Sequence, residues 1–143
     1  LWYGIGAYLN KYPEMRYLFG PVSISNSYPQ LAKEKLVAFY RAHFPEQAPF
    51  ADARQPFEVR SEVFEDYTGE NYSEEFTRLK SEMSAMDVNV PTLYKQYTEI
   101  CKEGGVQFAD FNVDPEFSDC IDGLVLVDLE YLKPKKRKRY LGE

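Results

Sequence analysis

Apolar residues along the chain fall into alternating stretches of helical and strand spacing. Leu1, Ile5, Tyr8, Leu9 and Tyr12 share one helical face with Trp2 at its edge, which predicts an amphipathic helix over Leu1 to Tyr12. No Ser, Thr, Asp or Asn stands before its first apolar residue as a cap, so the helix is expected to start upstream of Leu1. Gly4 and Gly6 weaken a helix, and their expected use is close backbone approach to a neighbouring sheet or ligand. After Pro13, Arg16 to Ser25 reads as a buried strand with Pro21 at an edge, a bulge or a place where two strands part, because proline has no ladder N–H. A turn at Asn26 to Pro29 leads into a helix ending near Phe44, carrying Leu31, Leu36, Val37, Phe39 and Tyr40.

The next stretch, Pro45 to Tyr72, lacks sustained periodicity and predicts a long excursion. Phe76, Leu79, Met83 and Met86 restore helical spacing over Ser73 to Met86, with Ser73 as the expected cap. Another helix is expected from Pro91 to Gly104-Gly105, carrying Leu93, Tyr94, Tyr97, Ile100 and Cys101. Val106 to Asn112 and Leu124 to Leu129 read as two strands able to pair antiparallel across an acid-rich connection, Asp114 to Gly123, with Phe117 and Ile121 packing inward.

At 143 residues, 44% of them hydrophobic and 16% aromatic, the chain has the size and apolar content of a single domain. Its net charge of −6 excludes a general nucleic-acid binder, which needs a basic face. The charge is uneven: residues 58–87 form an acidic insertion, and 133–143 a basic tail with Lys133, Lys135, Lys136, Arg137, Lys138 and Arg139. That tail reads as a solvated helix, a membrane-surface contact, or a targeting patch. Cys101 and Cys120 with a lone His43 are too few soft ligands for zinc, so no metal is expected and both thiols read as free and buried. Without a stretch of about 20 apolar residues, the chain reads as soluble and cytoplasmic, with the inner-membrane surface as a peripheral option.

Two segments carry candidate chemistry. In RYLFGPVSISNSY, Arg16 to Tyr28, a strand ends in small hydroxyl and amide groups, where open α/β sheets place ligands; a turn with a helix cap is the simpler reading. NVDPEFSDCIDGL, Asn112 to Leu124, gathers Asp114, Glu116, Asp119 and Asp122 without the alternation of a calcium loop; these read as turn formers, one of which could serve as a general base. His43 at a helix end reads as structural.

Taken together, LWYGIGAYL, YLFGPVSISNSY, RQPF (Arg54 to Phe57), VPTLYKQYTEICKEGG and FNVDPEFSDCIDGLVLVDL resemble the haemolysin-labelled family of bacterial acyltransferases. That family includes the ornithine-lipid and glycine-lipid N-acyltransferases, with a fold similar to GNAT acetyltransferases and acyl-homoserine-lactone synthases. The resemblance covers residues 1–57 and 88–142. It implies an α/β (α+β) partial GNAT-like fold, a mixed sheet flanked by helices with the first strands missing. It also implies transfer of a fatty acyl group, commonly 3-hydroxylated, from acyl carrier protein or acyl-CoA to an amino-acid amine, with no bound cofactor.

On this reading Ser23, Ser25, Asn26 and Asp114 are the catalytic candidates, and Phe19, Tyr28 and Tyr94 the substrate-binding ones, with Tyr94 a second candidate for proton handling. In many relatives the module follows a lysophospholipid acyltransferase domain, which makes that domain an expected partner and leaves the isolated chain expected to be inactive. An unpaired apolar sheet edge would also favour a homodimer. The competing reading is a non-catalytic module docking the upstream domain or an anionic membrane surface through the basic tail.

Overall fold

Strand alternation and helical spacing produce a three-stranded antiparallel sheet flanked by helices in the computed structural model, which describes residues 1–143. In chain order the elements are α1 (Trp2–Lys11), β1 (Tyr17–Ile24), α2 (Gln30–His43), the single turn α3 (Ser61–Phe64), α4 (Tyr72–Ala85), α5 (Thr92–Thr98), β2 (Val106–Asp114), β3 (Cys120–Asp128) and α6 (Pro134–Leu141). The sheet order is β1-β3-β2, so the last strand inserts between the two earlier ones. This α/β arrangement is consistent with a partial GNAT-like fold.

Every strand buries one face. Val22 and Ile24 of β1, Phe108 and Phe111 of β2, and Ile121, Val125 and Val127 of β3 are buried beneath α2 and α5. Each such side chain contributes roughly 1.5–3 kcal/mol relative to exposure. Tyr40 of α2 stacks into this layer with Tyr94 at 4.9 Å and Phe108 at 5.6 Å between ring centroids, and Phe108 lies 5.3 Å from Phe111. The alternate residues Tyr17, Phe19, Pro21 and Ser23 of β1 are exposed, and Cys120, Asp122, Leu124, Leu126 and Asp128 of β3 are half-buried, so the opposite face stays open.

The two strands at the edges of the sheet are treated differently. β2 is covered by the segment around Arg54 to Phe57: Phe57 N–H donates to the Phe111 carbonyl and Val113 N–H to that of Gln55, each at 2.8 Å. A bulge between Phe108 and Phe111 turns Asp110 outward, where it accepts from Arg41 at 3.0 Å and from the Ala53 N–H at 2.9 Å. β1 pairs with β3 alone, and Pro21 lies midway along it opposite Leu124. Proline interrupts a row of edge donors, which blunts that edge.

Several local expectations shift. The cap of α4 is Asn71, whose side chain accepts from the Glu74 N–H at 3.1 Å, rather than Ser73. Gly6 serves close approach, but to a helix: a Cβ there would collide with the Tyr140 carbonyl of α6. Phe117 is 70% exposed rather than packed inward, because Ser118 and Asp119 take left-handed φ of 53° and 56° and swing the β2–β3 connection away from the core. Of the two thiols only Cys101 is buried, and Cys120 is half-buried. His43 is structural: it lies under α4 with Nε2 2.9 Å from Glu75, and burial holds its pKa below the ordinary value. The basic tail is the helix α6. No helix is long and apolar enough to cross a membrane.

Candidate active site

The antiparallel register sets the chemistry of the open face. Ser23 stands opposite Asp122, and Asp122 opposite Asn112, so one row of polar side chains crosses all three strands. The Ser23 hydroxyl donates to Asp122 Oδ1 at 2.6 Å, a short charge-assisted bond, while Asp122 Oδ2 accepts none. One step further along, Cys120 stands opposite Asp114. Burial pushes the Cys120 thiol up, and the Asp122 charge beside it pushes further. The Cys101 thiol is pushed up to about 12 by burial, with the Asp128 charge adding to it.

Two depressions flank β1 at Pro21. On the edge side lies an apolar groove of about 170 Å³, lined by Ile5, Leu18, Phe19, Val22 and Tyr97 among others. On the open face lies a depression of about 240 Å³ between Pro21 and Leu124 of the sheet, Asn112 and Asp122 at its polar end, and Asp52 and Arg54 of the loop covering β2. Arg54, which is exposed and forms no ion pair, stands at its rim. Pro21 is the wall common to both.

The sequence candidates divide into two groups. Ser23, Ser25 and Asp114 gather at the end of the sheet where β1 leaves it, and Phe19 forms the rim of the groove. The Ser25 hydroxyl is 2.8 Å from that of Ser27 and accepts from the Ser27 N–H at 3.2 Å, the pattern of a hydroxyl-braced turn. Asp114 caps the short turn after β2 by accepting from the Glu116 N–H at 3.0 Å. Asn26 and Tyr28 are engaged elsewhere, Asn26 by Lys33 of α2 at 2.8 Å and Tyr28 by donating to the Asn89 carbonyl at 2.7 Å. Burial raises the Tyr28 pKa.

Tyr94 lies wholly in the core, where its hydroxyl donates to the Val22 carbonyl at 2.8 Å and reaches neither depression. It holds β1 down on α5. Gly123 makes this reach feasible: a Cβ there would sit 3.0 Å from the Tyr94 hydroxyl and 2.6 Å from the Phe111 ring.

Asp122, with its free oxygen, is one of the four acids of Asp114 to Gly123 among which the sequence leaves a general base open, although Asp114 is the one it singles out. Its signal was present as the alternation of Ile121, Gly123, Val125 and Val127, which puts Asp122 on the opposite face from the core.

No protein-family model and no solved structure matches the chain. Two curated proteins do, over 99% of its length. Both are named glycine N(alpha)-acyltransferase: one from Bacteroides thetaiotaomicron at 22% identity and one from Phocaeicola vulgatus at 21%. The chain spans 42% and 44% of the lengths of these relatives.

Proposed function

We propose that this chain contributes the acceptor side of an N-acyltransferase that moves a fatty acyl group from a carrier thioester to the amine of an amino acid in aminolipid synthesis. The carrier would be acyl carrier protein or coenzyme A. The observation that carries this reading is the pairing of an apolar groove with a polar depression across the single residue Pro21, with Asp122 presenting a free carboxylate oxygen in the depression. The groove suits an acyl chain and the depression suits an amino acid, whose carboxylate would meet Arg54 and whose amine would meet Asp122.

In the reaction the neutral amine nitrogen attacks the thioester carbon, the C–N bond forms and the C–S bond breaks, and the carrier leaves as a thiolate that takes up the proton the nitrogen gives to Asp122. The nitrogen becomes acidic as its lone pair bonds to carbon, and Asp122 Oδ2 then accepts the proton, with Ser23 holding Oδ1 in place. Backbone N–H groups along the unpaired edge of β1 are the donors for the developing oxyanion. The name shared by the two relatives makes glycine the first acceptor to try, and a longer protein of their size is the proper test system.

The experiment is acyl transfer from acyl carrier protein to glycine by the full-length protein carrying this chain. Asp122→Asn is expected to lower kcat by about 10²–10⁴-fold. Ser23→Ala should cost less, because Ser23 acts through Asp122. An Asp122→Asn protein with unchanged kcat would remove Asp122 from the mechanism, and absence of transfer to any amino acid by the wild type would remove the reading itself.

A further inference from the structure

Helices α1 and α6 pack on each other and contain no carboxylate between them. Seven of the chain's 17 Lys and Arg lie in these helices and the Lys133 cap, which leaves ten cations against 23 Asp and Glu in the remainder. The molecule is therefore strongly polarised, a cationic helix pair on an acidic body.

Three cations of α6 are aimed outward, while Arg137 pairs with Glu143 at 3.0 Å. Lys135, Lys138 and Arg139 stand at i, i+3 and i+4 of α6 and are all exposed, whereas Lys136, Arg137, Tyr140 and Leu141 are half-buried toward the body. The Arg139 guanidinium donates to the Tyr3 hydroxyl at 3.3 Å, which joins the basic face of α6 to the exposed strip of α1. That strip carries Tyr3 at 63% and Tyr8 at 50% exposure, separated by the small residues Gly4 and Ala7.

We propose that the α1–α6 surface docks on an anionic lipid bilayer. Its charge complements acidic headgroups, and tyrosines flanking a basic helix suit the headgroup interface, where an aromatic body and a polar tip are both satisfied. The acidic remainder is repelled by the same surface, which sets the orientation. Ile5, on the same α1, lines the apolar groove, so docking brings the groove beside the lipid. The docking stands whether or not the chain takes part in acyl transfer.

The test is co-sedimentation of the 143-residue chain with phosphatidylcholine vesicles and with equimolar phosphatidylcholine and phosphatidylglycerol vesicles. Binding to the anionic vesicles alone is expected, with release as salt rises from about 0.1 M to about 1 M and the screening length falls from about 10 Å to about 3 Å. Each exposed cation contributes about a fivefold gain in affinity, so the combined Lys135→Gln, Lys138→Gln and Arg139→Gln variant should bind about a hundredfold more weakly. Tyr3→Ser with Tyr8→Ser should weaken binding at constant charge. Circular dichroism of each variant verifies that it is folded. Equal sedimentation with both vesicle types would overturn the proposal. So would an unaffected triple variant, or salt-sensitive capture of an acidic protein such as acyl carrier protein with none of the vesicles.

Discussion

Strand β3 presents two unlike surfaces. On one side Ile121, Gly123, Val125 and Val127 are buried against α2 and α5, and on the other Cys120, Asp122, Leu124, Leu126 and Asp128 look out over an open face. The inner side is packed so closely that even a methyl group at Gly123 has no room. The outer side has a free carboxylate oxygen, a depression and the rim of a groove. Residues one position apart on the same strand thus answer to different demands: the inner ones to packing density, the outer ones to what a ligand could meet.

The largest effect on stability should come from the inner side. Gly123→Ala drives a Cβ into the Phe111 ring and the Tyr94 hydroxyl, and is expected to lower the unfolding free energy in urea by about 1–3 kcal/mol. A loss well below 1 kcal/mol would mean that the layer under β3 yields readily. Tyr94→Phe keeps the ring and deletes the hydroxyl that meets the Val22 carbonyl, with an expected cost of about 1 kcal/mol in the same measurement. An additional loosening of β1, seen as faster amide exchange at Val22 to Ile24, would sharpen the role of Tyr94 as the tie beneath that strand.

The smallest effect should come from the outer side. Phe19→Ser with Leu126→Ser, opposite one another on the open face, should change stability by less than about 0.5 kcal/mol. A loss like that of Gly123→Ala would show that the outer face carries packing of its own, and the contrast between the faces would fail.

The helices were readable where their apolar residues recur every three or four positions, but the one expected from Pro91 to Gly104 stops at Thr98, and Cys101 forms a bridge with Leu132 instead. β2 and β3 were readable at their apolar centres and not at their ends: the expected strands stopped at Asn112 and started at Leu124, while the observed ones run to Asp114 and begin at Cys120. Polar residues on an open face interrupt an apolar run without interrupting a strand, because their side chains remain in contact with water. Gly123 concealed the continuation further, since a buried glycine has no side chain by which to register as core. The candidate site was half legible. Ser23 and Ser25 stood out by composition, but their neighbour Asp122 is 99 residues from Ser23 in sequence, and no local pattern links them. Tyr94, a candidate for substrate binding and proton handling under the resemblance, is instead buried with its hydroxyl on the Val22 carbonyl.

Helical and strand periods, the net charge and the segregation of cations at the chain's end are properties of the residues in order, set by spacing and composition before any folding. Which carboxylate meets which hydroxyl, which glycine is compressed, and that α1 lies against α6 to merge two carboxylate-free helices into one basic surface follow from long-range pairing. Such contacts depend on strand register and on helix packing, and both are chosen by the energy of the assembled core, a quantity that no stretch of sequence contains alone.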